Sequence, residues 1–306
     1  MPRYAITHLT RYEHTAPATT AWQAVHLQPR QETNQAISRF ALEVTPHCGD
    51  LAIRTDAFGN ALHVFTVRAV HRRLEIISRS VVERTAPSWP IDAHTLVVGA
   101  ARHLARAAIA SGSAFELDHF LHPSPLVPFV PEARDLAAEG DAVTILAWLR
   151  ETGSTFAREF TFDASATNVS TPLKDVLRHR RGVCQDFAHL LISCLRQHGL
   201  PTAYVSGYLL TEPPPGQPRL IGADASHAWI SVFVPGIGWV DYDPTNNCFV
   251  GDAHIVVARG RDYTDVCPVK GVFSGGGEHA LHTGVTVEPA PTPEAEMPDG
   301  PINDPR

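Results

Sequence analysis

Residues 180–191 read RRGVCQDFAHLL, a glycine-led turn running into an apolar segment with a cysteine at the junction. From Cys184 to His198 the apolar positions Phe187, Leu190, Leu191, Cys194 and Leu195 recur at steps of three and four, which is one face of a helix. Gly199 and Pro201 then end it. Cys184 therefore falls in the first turn, where backbone N–H groups lack intrahelical acceptors and the positive end of the helix dipole favours a thiolate. Arg180 and Arg181, just upstream, add to that field. Cys194 sits on the apolar face and reads as a small core residue. A thiol at a helix start, taken alone, is weak evidence for a nucleophile, because cysteine is more often buried for packing.

A second stretch narrows the choice. Residues 224–247 read DASHAWISVFVPGIGWVDYDPTNN, two β-rich runs around a Pro-Gly-Ile-Gly turn, with a histidine entering the first run and an aspartate closing the second. Antiparallel pairing brings His227 and Asp243 to the same end of that hairpin. Cysteine, imidazole and carboxylate then follow in chain order at 184, 227 and 243, the set a thiol nucleophile needs for a base and an orienting group. Register decides whether the two can cooperate. If Val234 pairs with Trp239, Asp243 faces Ile230 and His227 lies on the other side of the sheet. If Val234 pairs with Gly238, Asp243 stands opposite Trp229, which shares a face with His227. The second register predicts a three-residue turn, or an equivalent bulge, within Pro235–Gly238, with Gly236 or Gly238 at positive φ.

Composition sets limits on everything else. With 306 residues, 44% of them hydrophobic and 19% charged, the chain can bury a sizeable core and form more than one domain. A net charge of −7, from 25 Lys and Arg against 32 Asp and Glu, offers no broad basic surface to a nucleic acid. The opening MPRYAITHLTRYEH has no apolar stretch of a secretory leader, and no later run approaches the roughly 18 apolar residues of a membrane span. A cytoplasmic protein is expected. The five cysteines are scattered without a CxxC pair, which fits neither a disulfide framework nor a zinc module and predicts reduced thiols.

The first 85 or so residues carry the two-residue alternation of strands, in RFALEV (39–44) and RRLEIISRSVVERT (72–85). DAFGN (56–60) between them supplies hairpin-turn residues, so an antiparallel sandwich is expected. Helices are predicted over 94–112 and 141–158, separated by HPSPLVPFVPEARDL (122–136), whose four prolines suggest a linker. After Glu288 the chain turns Pro-rich and acidic, PAPTPEAEMPDGPINDPR, and is expected to be disordered.

The run GVCQDFAHLLISCLRQHGLPTAYVSGYL, followed by DASHAWISVFVPGIGWVDYDPTN, resembles the bacterial branch of the transglutaminase-like superfamily. YAITHLTRYEHTAPA and the turn at DAFGN resemble the β-rich domain that precedes the core in that branch, and GRDYTDVCPVKGVF (260–273) extends the likeness. The resemblance implies an α+β protein. An antiparallel β-sandwich-like domain (1–87) and a helical, Pro-rich connection (88–140) would precede a papain-like core (141–287) and a disordered tail (288–306). It implies Cys184 as nucleophile, His227 as general base and acid, and Asp243 as the group orienting the imidazole, with Asp243 preferred to Asp241 because it adjoins Pro244. Neither cofactor nor metal is implied. The expected substrate is a protein or peptide amide or isopeptide, with no nucleic acid or membrane as partner. Three functions remain open: a cysteine hydrolase, an acyltransferase that delivers the acyl group to an amine, and a non-catalytic interaction module.

Other polar residues are weighed against these. His189 reads as structural or supporting, Asp186 as a cap for the helix amides, and Trp229 and Trp239 as core residues with a partial cleft role open. His254, Asp252 and Asp262 are conceivable metal ligands, but their irregular spacing on an apparent loop reads as scattered polar residues at the surface. A zinc site at Cys184, His227 and Asp243 would lack a fourth ligand and would neutralise the nucleophile.

Overall fold

The structure is a computed structural model that describes residues 1–88, 95–211 and 226–291. Its first five strands are β1 (Arg3–Val25), β2 (Gln35–Thr45), β3 (Leu51–Thr55), β4 (Ala61–Val67) and β5 (His71–Arg84). Then come α1 (Val98–Ala110), α2 (Pro131–Arg134), α3 (Ile145–Glu159), β6 (Thr161–Phe162), α4 (Leu173–His179), β7 (Arg181–Gly182), α5 (Cys184–Gln197) and β8 (Thr202–Leu209). The chain continues with β9 (Ser226–Val234), β10 (Gly238–Asp243), β11 (Cys248–Phe249), β12 (His254–Gly260), α6 (Tyr263–Val266), β13 (Val269–Gly275) and β14 (His279–Pro289).

β1 organises the N-terminal half. Along its first arm the even-numbered residues from Tyr4 to His14 are buried; past Ala18 burial passes to Ala21, Gln23 and Val25, and the register shifts between Ala18 and Thr20. One bulge thus re-aims the strand. The first arm pairs with β5 and β14, the second with β4 and β13. Tyr12 of the first arm, with Leu74 and Ile76 of β5, meets Val25 of the second, with Phe65 and Val67 of β4, in a single apolar cluster, which gives the sandwich-like core expected from the alternation. The DAFGN turn forms as read: Asp56 Oδ1 accepts from the backbone N–H groups of Phe58 and Asn60, both at 2.8 Å, and Gly59 has φ +78°.

Three expectations need correction. The core was expected to run to residue 287, but β13 and β14 leave it and pair with β1, completing the N-terminal sheet. Such long-range pairing leaves no trace in local periodicity. Nor is 122–136 a linker: Val127, Val130, Ala133 and Leu136 are buried in the main core, because prolines interrupt regular structure without preventing the residues between them from packing. The tail expected to be disordered from 288 is still strand at its start, since β14 runs through Pro289; residues 292–306 lie outside the described ones.

In the second half, five strands lie in the order β11-β10-β9-β8-β12. Helix α5 carries more than an apolar stripe. Every residue from Asp186 to Arg196 is buried, the signature of a helix enclosed on all sides. Its core joins Ala228, Ile230 and Val232 of β9, whereas Trp229 belongs to a separate cluster with Val205, Val250 and Val256 on the other face. The halves are stitched together by side-chain amides. Gln35 donates to the carbonyl of Val256 (2.8 Å) and accepts from its N–H (2.9 Å), while Asn60 does the same for Arg259 (2.7 and 2.8 Å). The free edge of β12 is satisfied in this way. No helix among the described residues is long and apolar enough to cross a membrane.

Candidate active site

Cys184 opens α5, with Val183 in extended conformation before it. Asp186 reaches back to accept the Val183 N–H at 2.8 Å and the Thr167 hydroxyl at 2.6 Å, which fixes the start of the helix. It therefore caps, as its position suggested. Burial pushes the Asp186 carboxyl up, against these two hydrogen bonds. Gly182 is required here, because a Cβ at that position would run into the Asp186 side chain. The helix ends on Gly199, at φ +74°. Cys194 behaves as a core thiol, its pKa pushed up to about 12 by burial.

The β9–β10 hairpin brings the other two residues together. Val234 pairs with Gly238, and the Ile237 N–H donates to the Val234 carbonyl at 3.0 Å across Pro235 and Gly236. This is the three-residue turn the parity reading required. Gly236 and Gly238 have φ +79° and +96°. His227 Nε2 lies 2.7 Å from Asp243 Oδ2, with the Asp243 side chain fully buried. His227 is also in hydrogen-bonding reach of the Cys184 thiol. Burial disfavours the imidazolium, but the hydrogen bonds to Asp243 and Cys184 and the charge of the carboxylate outweigh it, lifting the His227 pKa to about 10. Asp243 is held well below the usual carboxylate range: burial opposes this, and the donors of His227, His254 and Asn246 prevail. Cys184, His227 and Asp243 thus converge from one helix start and one hairpin end.

Other residues settle into different roles. Asp241, on the same face of β10, is taken by Ser231, by Trp229 Nε1 at 3.4 Å and by Arg259 at 3.0 Å. His189 is buried and accepts the Tyr263 N–H at 3.1 Å; desolvation lowers its pKa to about 4, so it is a neutral structural acceptor. Trp239 packs edge-on against Phe120 and Phe233.

His254 and Asp262 are not the surface residues their spacing suggested. Asp262 is buried and caps α6 through the Thr264 N–H at 2.8 Å. His254 lies on β12 and places Nε2 3.1 Å from Asp243 Oδ2. The β-branched run Ile255–Val257 in HIVVARG (254–260) is the signal for that strand; its pairing with β8, two strands from β10, is not local information. Ligand atoms of His227, Asp243 and His254 lie within 4.8 Å of one another, close enough for a cation. Both imidazole Nε2 atoms and the carboxylate are already engaged in mutual hydrogen bonds, so the arrangement is that of a buried carboxylate with two imidazole donors.

Residues 4–83 match the bacterial transglutaminase-like N-terminal region and residues 133–244 match the transglutaminase-like superfamily. An uncharacterized protein of Mycobacterium tuberculosis is 37% identical over 289 residues, covering 91% of this chain and 90% of the relative. A protein-glutamine gamma-glutamyltransferase of Pseudomonas aeruginosa is 36% identical over 67 residues, 22% of this chain and 10% of that one. A crystal structure from Cytophaga hutchinsonii, described as a candidate cysteine protease, superposes with a TM-score of 0.72 at 17% identity, covering 95% of this chain and 91% of the other. Both family matches fall in order along the chain, on the sandwich and on the segment that ends at the hairpin aspartate, and the chain belongs to the transglutaminase-like superfamily.

Proposed function

We propose that the protein is a thiol-dependent amide hydrolase acting on peptide or isopeptide bonds through a thioacyl intermediate. The observation that carries this reading is His227, whose Nε2 is bound to a buried carboxylate while its ring remains in reach of the Cys184 thiol. With Nε2 committed to Asp243, Nδ1 faces the thiol and takes its proton. The sulfur attacks the carbonyl carbon, and the oxyanion meets the backbone N–H of Cys184 in the first turn of α5, where amides have no intrahelical acceptor. The imidazolium returns its proton to the leaving amine, and water then cleaves the thioester with His227 as base. Asp243 keeps the ring in the required tautomer.

Acyl transfer is the second reading. The same intermediate can be resolved by an amine, and the stretch shared with the Pseudomonas gamma-glutamyltransferase favours keeping it in view. An enclosed interaction module without catalysis is the third. The experiment that separates them incubates the protein with glutamine-containing and isopeptide substrates, with and without a primary amine, and follows ammonia and product masses. Hydrolysed products in the presence of amine support the hydrolase, amine adducts the transferase, and inertness across the panel the module. A net charge of −7 supports an uncharged or basic peptide rather than a nucleic acid as partner. We place the protein in the cytoplasm, which cell fractionation tests directly.

A further inference from the structure

We propose that His254 is a positioning residue for the reaction assigned above, holding the Asp243 carboxylate in place and dividing its Oδ2 with His227. The inference rests on the Cys184–His227–Asp243 reading and goes beyond it.

The hydrogen bonds of Asp243 can be accounted for one by one. Oδ1 accepts the backbone N–H groups of Thr245 (2.9 Å) and Asn246 (3.2 Å). Oδ2 receives His227 Nε2 (2.7 Å), Asn246 Nδ2 (2.7 Å) and His254 Nε2 (3.1 Å). A carboxylate only accepts, so His254 must carry its proton on Nε2. Its Nδ1 is buried with no partner among the described residues, and the neutral Nε2–H tautomer leaves an unpaired acceptor there rather than an unpaired donor.

Its place on the far strand shows how the contact is built. His254 belongs to β12, and β8 and β9 lie between it and β10. The gap is bridged at Gly207 of β8, where a Cβ would strike the Trp229 ring and the Ile255 carbonyl. Trp229 occupies that space and meets both imidazoles, with ring centroids 5.3 Å from His254 and 6.0 Å from His227. A buried histidine next to the apolar run Ile255–Ala258 is costly unless its polar atom has a task. Here the task has two parts. The carboxylate is prevented from rotating, and each additional donor on Oδ2 weakens its pull on the His227 proton, which tempers the imidazole as a base. The other titratable groups facing the pair are Cys184 of α5, Tyr242 of β10 and Cys248 of β11.

The test is the pH profile of Cys184 alkylation by iodoacetamide, resolved by peptide mass spectrometry in the full-length protein. A thiol coupled to an imidazole gives two steps, the upper one marking loss of the imidazolium proton. His254→Phe keeps a ring against Trp229 but deletes the donor, and His254→Gln retains one. The upper step is expected to move to higher pH by about half a unit to one unit in the phenylalanine variant and to return toward wild type in the glutamine variant. An unmoved upper step in a folded His254→Phe, with only the melting temperature lowered, overturns the proposal. So does a glutamine variant that behaves like phenylalanine. A single ordinary thiol step in the wild type instead removes the triad itself, and this proposal with it. Should His254→Phe fail to fold, the nitrogen-15 spectrum of the wild-type histidines decides: an Nε2–H tautomer at His254 supports the role, and an Nδ1–H tautomer ends it.

Discussion

Val234 stands directly opposite Gly238 in the β9–β10 hairpin, and that one pairing places His227 and Asp243 on a common face. The turn that sets it has proline at its second position and Gly236 at φ +79° in its third, the pattern of a type II turn. No neighbouring atom would contact a Cβ on Gly236, so Gly236→Ala meets only backbone strain. A loss of about 1 kcal/mol is expected in urea unfolding. A change within error would mean that the turn relaxes into another form.

Among the five cysteines, Cys184 should be alkylated fastest near neutral pH, since it alone combines a helix start with a histidine partner. Cys194 should be the slowest, being fully buried. Site-resolved alkylation of the native protein checks both, and faster reaction at Cys48 or Cys267 would contradict the assignment. Cys184→Ala should abolish amide cleavage and acyl transfer with an unchanged circular dichroism spectrum.

Asp243→Asn is expected to reduce turnover by about three to four orders of magnitude while leaving a measurable remainder, because an amide can present a donor to His227 and favour the wrong tautomer. Turnover kinetics on whichever amide proves to be a substrate give the number. Wild-type rates in this variant would take Asp243 out of the mechanism.

The pair also sets a pH dependence of stability. His227 is raised from 6.5 to about 10 on folding, so its contribution is complete below 6.5 and is lost as pH rises toward 10. Asp243 is depressed from 3.8, so its contribution is complete above 3.8 and is lost as pH falls through its lower folded value. The stability difference between wild type and His227→Gln should therefore be largest between those limits and shrink on the alkaline side. Urea midpoints of both proteins across this range test the sign.

Gly153 of α3 lies against the Tyr242 hydroxyl, where a Cβ would overlap the ring. Tyr242 adjoins Asp243 and donates to Asn247 at 2.6 Å. Gly153→Ala should cost about 1–3 kcal/mol through overpacking and slow Cys184 alkylation by displacing the aspartate. Loss of stability without any change in alkylation would show that the two are uncoupled.

The local signals in the sequence were those with a short period. Steps of three and four put Cys184 at a helix start, and loop parity put His227 beside Asp243, because both follow from backbone geometry over a few residues. His254 reads as a surface residue from sequence because its partner lies across two intervening strands, and Asp262 because a cap on a helix as short as Tyr263–Val266 has little periodicity to announce it. The all-round burial of α5 was hidden for a related reason. Polar residues such as Ser193 and Arg196 look like a solvent face until their partners, the Pro128 carbonyl for the hydroxyl and the Thr202 and Arg261 carbonyls for the guanidinium, are known.

The pairing of β1 with β13 and β14 bears on how the chain is made. Arg3 reaches the carbonyl of Pro291, 288 positions away, and one flank of β1 finds its partners only in strands that follow the transglutaminase-like core. On the ribosome the N-terminal sheet therefore carries an open edge until synthesis has passed the core, a long-range closure that is slow and prone to mispairing. Truncation between α6 and β13 should leave the first sheet unclosed, so the N-terminal domain and the core are expected to reach their native state as one cooperative unit.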